Sequence, residues 1–172
     1  MQMVKRIVGG FFLSLLLLWL LAPKQELYYL LEKSLKDKNV VISNETVTDT
    51  WFGLKIENAD IYVNEIKMAE AAKLNFNFFF FYNQLKVNSI TMDKSLENMA
   101  PSSIDSLKAT YSLIDPLNIK LEGEGSFGVI DGKVSLLDRK VEILFPVKKE
   151  LKTIKKFLRN DETRGWYYET NY

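Results

Sequence analysis

The chain contains neither cysteine nor histidine. Those two absences remove disulfides, thiolate and imidazole metal sites, and any catalytic triad that depends on a histidine base. Charge of one sign is missing too: 23 basic against 22 acidic residues leave a net +1, so no overall field draws in nucleic acid. The lack of cysteine leaves the redox compartment open, because oxidising and reducing compartments both tolerate it. What the 172 residues do have is 47 % hydrophobic and 26 % charged content. That balance argues against disorder and supplies a core for one domain with appendages.

The first apolar run is N-terminal. "MQMVKRIVGGFFLSLLLLWLLAP" places Lys5 and Arg6 before an uncharged stretch, residues 7–22, that ends at Pro23. At about 1.5 Å per residue the stretch covers roughly 24 Å, slightly less than a hydrocarbon core of about 30 Å, and snorkelling of the basic pair makes up the difference. Cleavage after Ala22 would put Leu20 at −3 and proline after the cut, a poor arrangement for a signal peptidase. The expectation is therefore an uncleaved signal anchor over residues 1–23, a single transmembrane helix. The basic pair before it keeps the N-terminus cytoplasmic. The expected location is the inner membrane, with the C-terminal domain in the periplasm.

Residues 24–38, "KQELYYLLEKSLKD" and its neighbour, read as an amphipathic helix with Leu27, Leu30, Leu31 and Leu35 on one face. From Val40 the apolar period drops to two. Leu54 and Ile56, then Ile61 and Val63, flank "ENAD" as a bulge or turn, and Ala72, Leu74, Phe76 and Phe78 share one strand face. The aromatic run from Phe78 to Tyr82 breaks that alternation at a strand end or bend. Residues 93–105 read as a loop, Asp131-Gly132 as a two-residue hairpin turn and Asp138-Arg139 as a weaker one. The fold class that follows is mainly β with flanking helices: a curved, mostly antiparallel sheet of eight to ten strands over 39–146. A basic amphipathic helix is expected over 147–160, with Val147, Leu151, Ile154 and Leu158 as its stripe. An aromatic tail over 161–172 supplies a further strand.

These segments carry a family resemblance. An apolar anchor, a proline, a short helix and then "VTDTWFG", with Thr50-Trp51-Phe52-Gly53 as its turn, resemble the start of the type II secretion system protein N family. "LKIENADIYV", "AEAAKLNF" and "LKVNSITM" resemble the strand module shared with AsmA-like envelope proteins, and "GEGSFGVIDGKVSLLDRKVEIL" looks like the closing hairpins of secretion protein N. The likeness covers residues 5–146. It implies an AsmA-like sheet and a non-catalytic envelope role, with no catalytic motif to carry over.

No cofactor, metal or catalytic residue emerges. "GEGSFG" lacks the Lys-Ser/Thr of a phosphate loop, and acidic residues are scattered as on a solvated surface. An enzyme is not expected. The aromatic stripe has two readings, ordinary core or a groove left open to acyl chains, and the candidate residues are Leu74, Phe76, Phe78, Phe80, Ile61 and Val63. For contact with lipid or a protein partner the candidates are Lys148, Lys149, Lys152, Lys155, Lys156, Arg159, Trp166 and Tyr168. Expected partners are other protein subunits of an envelope-spanning secretion, pilus or related machine, the membrane and, in the alternative reading of a lipid-binding or lipid-transfer module, lipid. Nucleic acid is not indicated.

Overall fold

The structure is a computed structural model describing residues 2–21, 23–79, 81–97, 99–149, 151 and 153–172, with the backbone alone for Trp19 and Lys148. Two helices precede one antiparallel sheet of 11 strands. Helices α1 (Gln2–Leu20) and α2 (Lys24–Lys36) are followed by β1 (Val40–Ser43), β2 (Thr46–Thr50), β3 (Gly53–Val63), β4 (Ile66–Phe79) and β5 (Tyr82–Met92). Then come β6 (Ser103–Ser112), β7 (Asp115–Gly125), β8 (Gly128–Ser135), β9 (Lys140–Lys148), β10 (Arg159–Asp161) and β11 (Gly165–Asn171).

From β3 to β9 each strand pairs with the next, a plain meander. β1 and β2 share the outer side of β3, split at Asn44, whose φ of 61° breaks the edge. At the far end β11 lies between β9 and β10. The aromatic tail is thus an added strand, as expected. Its Tyr167 pairs with both Leu144 and Arg159.

One face of the sheet is apolar along its whole width. The row Ile56, Leu74, Val87, Leu107, Gly123, Ile130 runs across six strands. A second row, Leu54, Phe76, Leu85, Ala109, Leu121, Gly132, Ile143 and Tyr168, runs beside it. Besides local register shifts at Ile61/Tyr62, Tyr111/Ser112 and Val129/Asp131, alternation is interrupted coherently along one line. Asn58 and Ser89 have φ of 57° and 55°, and the ladders skip the line through 58, 72, 89 and 105. Beyond that line the inward positions change parity, so Ala59, Ala71 and Ala69 are buried and Ala72 is exposed. Ala72 therefore does not share the face of Leu74 and Phe76: an extra residue per strand, of the kind a bulge inserts, resets the pleat. "ENAD" is this bulge within a single strand rather than a turn between two.

Among the described residues, cover lies at the two sides of the apolar face. On one, Tyr28 of α2 packs with Leu54, Ile56, Ala59, Ala71 and Val87. On the other, the segment after β9 folds back so that Leu151 closes on Phe127 and Ile130, with Ile154, Leu158 and Trp166 against them. Leu107 touches both clusters.

Three further expectations need correction. The helix over 147–160 does not form among the described residues: β9 continues to Lys148, paired with Gly128, and a 3-10 turn at Lys155–Phe157 follows before β10. Pairing takes the first residues, and the remainder is shorter than a self-supporting helix. Its apolar residues reach the core from an irregular strap. Asp131-Gly132 is not a turn either, because both residues are mid-strand in β8, Gly132 between Leu121 and Ile143. The turn falls at 136–139, where Arg139 has φ 50°. On α2 the sheet-facing side is Lys24 and Tyr28, while Leu27, Leu30 and Leu31 are exposed. Among the described residues no helix is long and apolar enough to cross a membrane. In α1 the charged pair Lys5 and Arg6 leaves residues 7–20, roughly 21 Å of apolar helix against about 30 Å of hydrocarbon.

Candidate functional site

Between the two covered sides no second layer of the described residues lies over the apolar face. A hollow of about 190 Å³ opens there, lined by Phe76 and Phe78 of β4, Leu85 of β5, Ala109 and Tyr111 of β6, and Ile119 of β7. Register puts them together: Phe76 pairs with Leu85 and Leu85 with Ala109, while Tyr111 pairs with Ile119. All are half-buried. The Phe76 and Phe78 rings stack 6.0 Å apart at 15°. A smaller hollow of about 70 Å³ shares those two rings and is bounded by Leu27, Tyr28, Leu31 and Leu54. The exposed leucines of α2 thus form one wall of the opening.

Of the six stripe residues expected, the structure brings Phe76 and Phe78 into the opening and packs Leu74 beside it in the Tyr28 cluster. Ile61 and Val63 are elsewhere, near the far end of β3, paired with Ile42 and Val40 of β1. Phe80 lies outside the described residues. Leu85, Ala109, Tyr111 and Ile119 were not among the expected residues. Only the register could assign them to this opening.

The basic candidates do not make one face. Lys149, Lys155, Lys156 and Arg159 are exposed on the strap and β10; Lys152 and the side chain of Lys148 lie outside the described residues. Two of the lysines serve local contacts, Lys155 Nζ at 5.3 Å from the Trp166 ring centre and Lys156 Nζ at 5.0 Å from that of Phe157. Trp166 and Tyr168 face the apolar side on β11, Trp166 in the Leu151 cluster.

The opposite face of the sheet is charged and carries several ion pairs. Lys108 meets Glu122 at 2.6 Å, Lys140 meets Glu169 at 3.0 Å, and Arg164 reaches Glu142 at 3.0 Å with its guanidinium 4.3 Å from the Tyr167 ring centre. Hydrogen bonds from Asn44 and then Lys67 hold the Asp60 carboxyl below its ordinary range, and Lys140 does the same for Glu169. These are carboxylates kept ionised, the opposite of a general acid held protonated near neutrality. Among the described residues no three acidic side chains converge on a metal-sized site.

One titration bears on the wall of the opening. Tyr28 is 4 % exposed, and its hydroxyl donates to Glu45 Oε1 at 3.3 Å. Burial, then the charge of Glu45, pushes its phenol well above the usual value. The folded state therefore favours the neutral phenol. This stabilisation is complete below the unfolded value of about 10 and is lost progressively as pH rises from there through the higher folded value. The denaturation midpoint is expected to fall above about pH 10, and Tyr28→Phe, which has no proton to lose, is expected to remove part of that fall. Identical alkaline profiles for the two proteins would contradict this assignment.

No family model, no curated protein and no solved structure matches the chain.

Proposed function

We propose that this chain is a non-catalytic, membrane-anchored subunit of an envelope assembly, in the manner of the secretion protein N family that its sequence resembles. The uncovered apolar strip of the sheet is its contact surface. The observation that carries the reading is the opening around Phe76, Phe78, Tyr111 and Ile119: apolar, half-buried, and placed where neither α2 nor the strap provides cover. A face of this kind normally has an occupant. Anchoring comes from α1, which falls short of a full span but whose residues 2–18 are exposed on every side and include Phe11, Phe12 and a run of leucines. An apolar helix bare of protein is stable when lipid surrounds it. The matched ion pairs of the other face support a structural rather than a chemical role.

A second reading, lipid binding of the AsmA type, is favoured by one observation: the lining is almost wholly apolar, and each methylene buried there adds about 0.8 kcal/mol. A photo-crosslinking amino acid at Phe78 of the full-length protein in cells separates the two. Protein adducts are expected from the subunit reading, and phospholipid adducts would put the lipid reading in its place. Intramolecular adducts alone would reject both.

A further inference from the structure

The two ends of the sheet differ in their turns. At one end the β3–β4 turn is Asn64-Glu65, both at positive φ, the residue type and geometry that tight hairpins favour. At the other end each turn carries at least one large apolar residue. Trp51-Phe52 joins β2 to β3, Phe81 lies between β4 and β5, Leu113-Ile114 joins β6 to β7, and Leu136-Leu137 follows β8. Their exposure is extreme for such residues: Trp51 79 %, Phe81 65 %, Ile114 95 %, Leu137 71 %. Turn formation does not call for side chains of this kind.

The tips form one rigid row. Phe78 N donates to Phe52 O at 2.6 Å, Leu113 N to Phe81 O at 3.0 Å, Leu136 N to Leu117 O at 2.8 Å and Tyr172 N to Arg139 O at 3.0 Å. With strands about 4.8 Å apart, the row is roughly 30 Å long. The exposed apolar residues of the opposite end, Ile66, Met99, Val147 and Phe157, sit among charged and polar neighbours and in no such series.

The orientation of α2 identifies what covers the row. Its C-terminal side is tied to the Asn64 end, where Asn64 N donates to Asn39 O at 2.9 Å, and its N-terminal half borders Leu54 and Phe78 near the tips. The α1–α2 junction therefore lies on the tip side of α2. Apolar helix and apolar turns approach the same boundary.

We propose that the hairpin-tip row docks the sheet edge-on to the surface of the lipid bilayer that holds α1, with Trp51, Phe81, Ile114 and Leu137 immersed at headgroup depth. The occupant is lipid, since aromatic and aliphatic side chains in a row beside an inserted helix match the interfacial zone. The contact is apolar, so zwitterionic vesicles suffice and salt does not weaken it. The proposal rests on the insertion of α1 and is tested so that the two fail separately.

The chain has three tryptophans, one in each region of interest: Trp19 in α1, Trp51 in the tip row and Trp166 in the core cluster. Single-tryptophan forms of the full chain, the other two changed to Phe, are reconstituted in phosphatidylcholine vesicles containing brominated phosphatidylcholine. Quenching of Trp19 and of Trp51, with Trp166 unaffected, is the expected result, and Ile114→Glu with Leu137→Glu is expected to abolish the Trp51 quenching while leaving that of Trp19. Quenched Trp19 with unquenched Trp51 would overturn tip docking and keep the anchor. Loss of both signals in a chain of native circular dichroism would overturn the anchor and the docking together.

Discussion

Replacing Ile56 by alanine is expected to lower the unfolding free energy by about 2–5 kcal/mol, the range for a fully buried branched aliphatic residue cut back to a methyl group. Ile56 is 2 % exposed, at the centre of the cluster in which Tyr28 closes on Leu54, Ala59, Ala71 and Val87. Cover there is thin, a single helix over a single sheet, and the neighbours that would have to collapse into the void are held by ladders on both sides of β3. The measurement is the urea midpoint of the full-length protein in detergent. A loss no greater than the about 0.5–1.5 kcal/mol of an Ile→Val change would mean that α2 settles into the space.

Gly53→Ala is expected to cost at least as much, on the order of 4 kcal/mol or the folded state itself, a size reserved for a few named mechanisms of which backbone strain is one. A Cβ built on Gly53 would stand 1.7 Å from the carbonyl oxygen of Phe76 and 2.7 Å from its carbon. Both atoms belong to the backbone of the next strand, so no rotamer change relieves the clash and β3 must lift from β4. The damage falls beside the Phe52–Phe78 hydrogen bond and the first tip of the row. Faster hydrogen exchange at the Phe78 amide is the local readout, and wild-type exchange in a stable variant would refute the close approach. The glycine of "TWFG" thus has a packing reason within this chain.

Period-two alternation made the strands legible. Leu74, Phe76 and Phe78 fall on one face as their spacing requires, and the aromatic run is the bend between β4 and β5. What alternation could not reveal was decided by partners distant in sequence. The bulge line inverted the parity of Ala69, Ala71 and Ala72, because each strand's extra residue is matched by its neighbours rather than by a local signal. Leu151, Ile154 and Leu158 have helical spacing yet pack from a strap, since β9 claims the residues before them through Gly128 and Val129. The opening was half legible: its residue types were visible in the sequence, and its membership waited on the register of four strands.

The meander has a kinetic consequence. From β3 to β9 every partner is the next strand along the chain, so each new hairpin adds to an edge already in place and few long loops have to close. Topologies of this kind fold quickly for β proteins, and they fold well when the chain arrives gradually from one end. Sequential growth ends at β11, which enters between β9 and β10 with residues that follow both in the sequence. Until they emerge, β9 presents a bare edge, the one stage of assembly at which a second copy could take the place of the chain's own tail.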